Sequence, residues 1–257
     1  MNQSSTRIAD LKHHVGAIVT VRAWVTHLRS KGKVAFVVAR DGTGILQAVL
    51  VKSEVPDASW NAFAELTQEA SVALTGEVRA DARAPGGFEM GVQTLEVIGT
   101  SPNDYPIQPK EHGIDFLLDN RTFWLRSQRQ VAIMRVRHEL EQAVHDFFYA
   151  RDFIRCDTPI LTAAIGERAG LFSTDYFDEG TAYLAQTGQL YGEALAAAMG
   201  RIYTFGPTFR AEKSKTRRHL TEFWMIEPEM AWYDQDDNMD LQDAFVRYLV
   251  ERVLARR

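Results

Sequence analysis

The residues best suited to chemistry fall in one short run, Thr208-Phe209-Arg210-Ala211-Glu212, followed after a basic loop by His219-Leu220-Thr221-Glu222-Phe223-Trp224. An arginine and a glutamate two apart on a strand point to one face, so a fork of five N–H donors and a carboxylate would share a floor. The loop between the two runs carries Lys213, Lys215, Arg217 and Arg218, a set of cations able to hold a polyphosphate. The same residues also suit a surface ion pair beside a solvated loop, and residue type leaves both readings open. The chain holds no GxxxxGK[ST], GxGxxG, HExxH or GxSxG, so phosphate-loop, dinucleotide, zinc-protease and serine-hydrolase chemistries lose their main support. Its one cysteine, Cys156, excludes an internal disulfide and a multi-cysteine zinc site and reads as a structural thiol.

The elements around that run must position it. RIYTFGPTFRAE and LTEFWMIEPEMAW read as two strands joined by the basic loop. Before them lie the helical QLYGEALAAAMG, the strand-like TAYLAQTG and the extended CDTPIL. Val131, Met134, Leu140, Val144, Phe147 and Phe148 fall at the spacing of a long amphipathic helix, and Leu241, Phe245, Leu249 and Val253 predict another from Asp236 into Arg257. The first hundred residues alternate instead. AIVTVRAWVTHL, KVAFVVAR, ILQAVLV, ASVALTGEVRAD and FEMGVQTLEVIG predict five strands, with turns at DGTG and at Ala84-Pro85-Gly86-Gly87. Five strands with one helical stretch, DASWNAFAELT, suit a small closed barrel of the OB type. SPNDYPIQPKEHG, with Pro102, Pro106 and Pro109, reads as a linker.

With 257 residues, 46% hydrophobic and 25% charged, the chain is globular rather than disordered or fibrous. No run is apolar enough to span a bilayer and the N-terminus does not read as a secretory signal, so a cytosolic protein is the expectation. The net charge of −5 argues against bulk electrostatic binding of nucleic acid, yet Lys12 to Arg40 holds six basic side chains and no acid, while Glu227 to Asp243 holds seven acids and no base. Such asymmetry fits local anion-binding surfaces, and it also fits ordinary solvated faces.

PTFRAEKSKTRRHLTEFWMIEPEM closely resembles motif 2 of class II aminoacyl-tRNA synthetases, in the aspartyl/asparaginyl branch, and FIRCDTPIL, with Pro159, resembles motif 1. TGQLYGEAL and the front barrel fit the same family. The resemblance implies an α+β fold, with an OB-fold anticodon-binding barrel over 1–101, a linker over 102–125 and, over 126–257, the N-terminal part of a class II catalytic domain with motifs 1 and 2, an incomplete antiparallel sheet with flanking helices. It implies ATP and Mg2+ as cofactors, tRNA and an amino acid as substrates, and a homodimer formed through motif 1 around Pro159. Arg210 and Glu212 become the expected catalytic pair. Arg210 would bind the α-phosphate and the amino-acid carboxylate, and Glu212 the adenine amino group or the acceptor end. Arg218 and His219 would reach the outer phosphates, Leu220 would lend backbone, and Phe223 would lie against adenine. Glu167 would hold the substrate ammonium and Gln189 would bind the amino acid.

Aspartyl members carry a lysine at the position of Gly192, so Gln189-Leu190-Tyr191-Gly192-Glu193 implies a neutral carboxamide donating to Glu193, hence asparagine and tRNA(Asn). On the barrel the resemblance implies that Phe36 stacks on the middle anticodon uridine, Gln47 bonds its edge and Arg29 supports the backbone. By alternation alone, Phe36 shares a face with Val34 and Val38 and could be core. Two departures stand out. The loop TAAIGERAGLFSTDYF is one residue short of the usual form, and nothing after Glu229 resembles motif 3 or the family's acidic magnesium ligands, so no metal site is expected within these residues. The expectation is an asparagine-specific ligase in truncated form, with a non-catalytic tRNA-binding or dimerising paralogue as the alternative.

Overall fold

A computed structural model of the chain describes residues 5–108, 110–163, 166, 170–213, 216 and 218–256. It divides into two compact units, Met1–Trp124 and Leu125–Arg257.

In the first unit five strands, β1 (Ile18–Lys31), β2 (Val34–Arg40), β3 (Ile45–Val51), β4 (Ser71–Ala80) and β5 (Phe88–Gly99), close into a barrel in the order β1-β2-β3-β5-β4. Closure comes from β1 pairing antiparallel with both β2 and β4, while β3 meets β5 in parallel. Alternation decides what is inside. Val21, Ala23, Val25, Ala35, Val37, Ala39, Leu46, Ala48 and Leu50 are buried, and their sequence neighbours point outward. Gly76 sits at a bulge of β4 against the carbonyl of Gly91, where a side chain would collide with backbone. The turn between β2 and β3 is held by Asp41, whose carboxylate accepts from the amides of Thr43 at 2.8 Å, Gly44 at 3.1 Å and Ile8 at 2.8 Å. Helix α1 (Asp57–Ala64) lies between β3 and β4 and is tied to β5 through Ser59, whose hydroxyl accepts from the Leu95 amide at 3.0 Å. Beyond the barrel, helices α2 (Ile114–Asp119) and α3 (Arg121–Trp124) follow. Tyr105 is buried with its ring edge-on to Phe123 at 5.2 Å.

The second unit is built on α4 (Gln128–Tyr149), which starts where the Ser127 hydroxyl accepts from the amide of Gln130. Its buried stripe of Ala143, Val144, Phe147 and Phe148 meets one face of a sheet of β6 (Ile154–Arg155), β10 (Arg201–Phe209) and β11 (Glu222–Met230), ordered β11-β10-β6. Phe148 stacks on Tyr203 at 4.6 Å. Helix α6 (Gln235–Arg256) closes the same core with Leu241, Phe245 and Leu249. A buried acid, Glu139 of α4, is paired there by Arg252 of α6 at 2.6 Å. A second sheet, β7 (Leu161–Thr162), β9 (Thr181–Leu184) and β8 (Ser173–Asp175), is small. Helix α5 (Gln189–Met199) lies on the opposite face of β10 and β11 from α4, with Gly192 against Ile202 and Glu229. Among the described residues no helix is long and apolar enough to cross a membrane.

Candidate active site and nucleic-acid interface

Pairing of β10 with β11 puts Thr208 opposite Phe223, Thr204 opposite Glu227 and Ile202 opposite Glu229. Alternation therefore gathers Phe223, Met225, Glu227 and Glu229 on the face that α5 covers. Trp224 and Ile226 go to the other face, where Trp224 meets Phe205 edge-on at 5.3 Å. Phe223 is thus not a core partner of Trp224. It lies half-buried on the open face with the Arg210 guanidinium 5.8 Å from its ring centre.

The expectation that Arg210 and Glu212 share a strand face is not met, because β10 ends at Phe209. The Arg210 amide makes a last cross-strand bond to the Thr221 carbonyl at 2.9 Å. The next amide, Ala211, turns away to the Gly170 carbonyl at 2.7 Å. Glu212 is held near the site by another route, its side chain lying beside Gly170, whose positive φ of 68° suits a glycine. Arg210 and Glu212 are both exposed, and Arg218, His219 and Leu220 lie exposed past the loop. His219 bonds through its Nδ1 to the Thr216 hydroxyl, which also receives the Arg218 amide at 3.4 Å. The result is one aromatic floor, one guanidinium beside it and further donors at the rim, a geometry that accepts a flat ring carrying phosphates. Glu167, and Lys215 and Arg217 of the basic loop, lie outside the described residues.

Two acids that the sequence reading did not single out lie deeper on the same face. Glu227 accepts from the Thr187 hydroxyl, from the Gly188 amide at 2.9 Å and from the Thr204 hydroxyl at 3.1 Å. These bonds fasten the start of α5 to β11. Glu229 lies beside Gly192, and its carboxyl is held above the usual carboxylate range by burial, then by the charges of Glu193 and Glu227. The signal for both was available, since Ile226-Glu227-Pro228-Glu229 alternates apolar and acidic residues along a strand. Gln189 and Glu193, placed separately on the substrate from sequence, bond each other, the Gln189 amide donating to Glu193 at 2.8 Å. Cys156 is a half-buried thiol pushed up by burial and by Asp157. It lines a cavity of about 160 Å³ with Thr158, Thr187, Gly188, Thr204 and Glu227. Among the described residues no group of three or more His, Cys, Asp or Glu side chains is placed to hold a metal ion.

The barrel carries a separate cluster. Arg29 pairs across strands with Phe36, and Gln47 lies on β3 opposite Val38. Phe36 is on the outward face, because Ala35 and Val37 are the buried ones. The Arg29 guanidinium lies 4.3 Å from the Phe36 ring centre and donates to the Gln47 side-chain oxygen at 3.0 Å. The Gln47 NH2 donates in turn to Glu89 at 3.3 Å, another residue that sequence reading missed. An aromatic plane, a cation stacked with it and an oriented amide form a platform for an unstacked base.

The family model for class II tRNA synthetases (D, K and N) matches residues 113–257, and that for the OB-fold nucleic acid binding domain matches residues 19–98. Asparagine-tRNA ligase of Roseiflexus sp. (strain RS-1) is 53% identical over 251 residues, 97% of this chain and 57% of that protein. Asparagine-tRNA ligase of Thermus thermophilus gives the same identity and coverage. Among solved structures, asparaginyl-tRNA synthetase from Pyrococcus horikoshii complexed with asparaginyl-adenylate superposes with a TM-score of 0.92 at 38% identity, over 98% of this chain and 59% of that one. The chain thus spans 57% of the length of these curated relatives.

Proposed function

Since the chain belongs to the class II tRNA synthetases of the D, K and N group, we propose that the protein activates asparagine with ATP and transfers it to tRNA(Asn). The observation that carries the reading is Arg210 beside Phe223 at the open end of β10 and β11, with α5 and the Glu227-anchored turn covering the rest of the same face. On this reading adenine lies on Phe223, where an adjacent guanidinium adds attraction. Arg210 bridges the α-phosphate and the asparagine carboxylate. A carboxylate oxygen attacks the α-phosphorus as the bond to the bridging oxygen breaks, giving asparaginyl-adenylate and pyrophosphate. The guanidinium gains binding as negative charge builds on the phosphoryl oxygens. Arg218 and His219 take the outer phosphates with Leu220 backbone beside them, and Glu212 meets the adenine amino group or the acceptor end. Glu167 and Gln189 hold the amino acid. Bound Mg2+ would screen the phosphates of ATP, and no group of three or more His, Cys, Asp or Glu among the described residues is placed to hold it.

On the barrel, Phe36, Gln47 and Arg29 take the middle anticodon uridine. A homodimer through the segment around Pro159 is part of the same reading.

The test is asparagine-dependent exchange between ATP and pyrophosphate, measured on the protein expressed from its complete reading frame. Exchange with asparagine is expected, and Arg210→Ala is expected to lower it at least about 100-fold. Faster exchange with aspartate than with asparagine would overturn the substrate assignment. Absence of exchange with tRNA binding intact would favour a binding paralogue.

A further inference from the structure

The segment that follows β5, expected from its prolines to be a linker, is bonded to the barrel it leaves. Its anchor is the turn between α1 and β4, where Thr67, Gln68 and Glu69 follow one another. The Thr67 hydroxyl donates to the Ser101 carbonyl at 2.6 Å, and the Gln68 NH2 donates to the Ile107 carbonyl at 3.1 Å. Between these two bonds Tyr105 is buried, its ring edge-on to Phe123, and its carbonyl accepts from the Gln108 side chain. The stretch that opens at Ser101 therefore lies as a strap against its own barrel, within the compact unit Met1–Trp124.

The turn that grips the strap is itself held from several sides. Glu69 has a φ of 69°, in the left-handed region that strains any residue but glycine. Its amide donates to the Val25 carbonyl at 2.7 Å, beside the irregularity of β1. Its buried carboxylate takes both arms of the Arg40 guanidinium, at 2.6 and 2.8 Å. Arg40 ends β2, the strand on which Phe36 stands four residues earlier. Bonded and adjacent groups thus lead from the strand of the aromatic platform through Arg40, Glu69 and Gln68 to the strap.

We propose that Thr67 and Gln68 are positioning residues, which fix the strap to the barrel so that a tRNA held at the Phe36 platform is charged efficiently. A tRNA must be engaged by its anticodon and by its acceptor end at once. Slack in the chain that leaves the anticodon barrel lowers the effective concentration of the acceptor end at the reacting groups. The inference rests on the charging reading above, while the attachment of the strap can be measured apart from it.

The experiment uses full-length wild type, a Thr67→Val/Gln68→Glu double variant that keeps both shapes but loses both donors, and Thr67→Ser, which keeps the hydroxyl. Trypsin cleavage after Lys110, exposed in the strap, reports attachment. Cleavage in the double variant is expected to quicken by at least about fivefold, and kcat/KM for charging of whole tRNA to fall by at least about fivefold. Asparagine-dependent ATP–pyrophosphate exchange and affinity for an anticodon stem-loop RNA should stay within about twofold, because neither needs the two ends of one tRNA together. Thr67→Ser should behave as wild type. A smaller change in either cleavage or charging would overturn the proposal. So would an equal loss of charging, exchange and stem-loop affinity, which marks the turn as a support of the fold alone. If the double variant does not fold, Gln68→Glu alone decides by the same readings. A wild type that neither exchanges nor charges would overturn the functional reading instead, and the cleavage comparison would still decide the strap.

Discussion

Phe36 shows how much a single side chain's direction decides. On an exposed barrel face an aromatic ring contributes to folding only through its partial burial, while as a stacking plane it contributes about 1–3 kcal/mol per base. Phe36→Ala is therefore expected to weaken tRNA binding about tenfold or more, read by fluorescence anisotropy, while leaving adenylate formation within about twofold of wild type. Equal loss of both would show that the ring supports the fold instead. Glu229 gives a second residue-scale expectation, with a sign. Its folded pKa is raised, first by burial and then by Glu193 and Glu227, so folding favours its protonated form. Its contribution to stability is full below the unfolded value and is lost as pH rises through the folded one. Glu229→Gln, which cannot ionise, should raise the melting temperature at pH 8 and change it little at pH 4. A lower melting temperature at pH 8 would count against the strain assigned to the carboxylate.

At the scale of elements, the long helices α4 and α6 pack on one face of the β11-β10-β6 sheet and share one aromatic core with it. The Phe147 ring is fully buried, with Phe148 at 5.3 Å, Phe245 at 5.0 Å and Tyr248 at 5.5 Å. Phe147→Ala should cost about 3–5 kcal/mol in denaturant unfolding of this unit, because the cavity lies where α4 meets α6 and the surrounding rings resist collapse. A cost below about 1 kcal/mol would mean that α6 is not fixed by this contact. The periodicity of Val144, Phe147 and Phe148 made α4 legible from sequence, and FEMGVQTLEVIG coincides with β5. The end of β10 was not legible. Arg210 and Glu212 keep the alternation of the strand before them, but the Ala211 amide finds the Gly170 carbonyl, a partner 41 residues away in the chain that no local pattern announces.

For the whole molecule, two units each carry their own core: the barrel interior in the first, and the aromatic cluster of Phe147, Phe148, Tyr203 and Phe205 in the second. Residues 1–124 produced alone should unfold in one cooperative transition and bind single-stranded RNA containing uridine, with affinity falling as salt rises. A non-cooperative melt of that fragment would show that its barrel needs the rest of the protein. The overall charge of −5 carries no information about this, because on the proposed reading the barrel uses Arg29 beside Phe36 and not the sum of charges.

The sequence by itself determined the strand and helix periods and the motif residues that place the chain in its family. These are local or ordered properties, written in alternation, in the 3.6-residue period and in the order of short runs. What only the tertiary structure decided are matters of face and partner. Alternation puts Phe36 with Val34 and Val38 but cannot say which face a closing barrel turns inward; curvature and the small Ala35 and Ala39 decide that. Spacing likewise cannot say which acid on the floor is already satisfied. Glu227 meets Thr187 and Gly188 from about 40 positions upstream, and that long-range meeting is what ties its carboxylate to the start of α5.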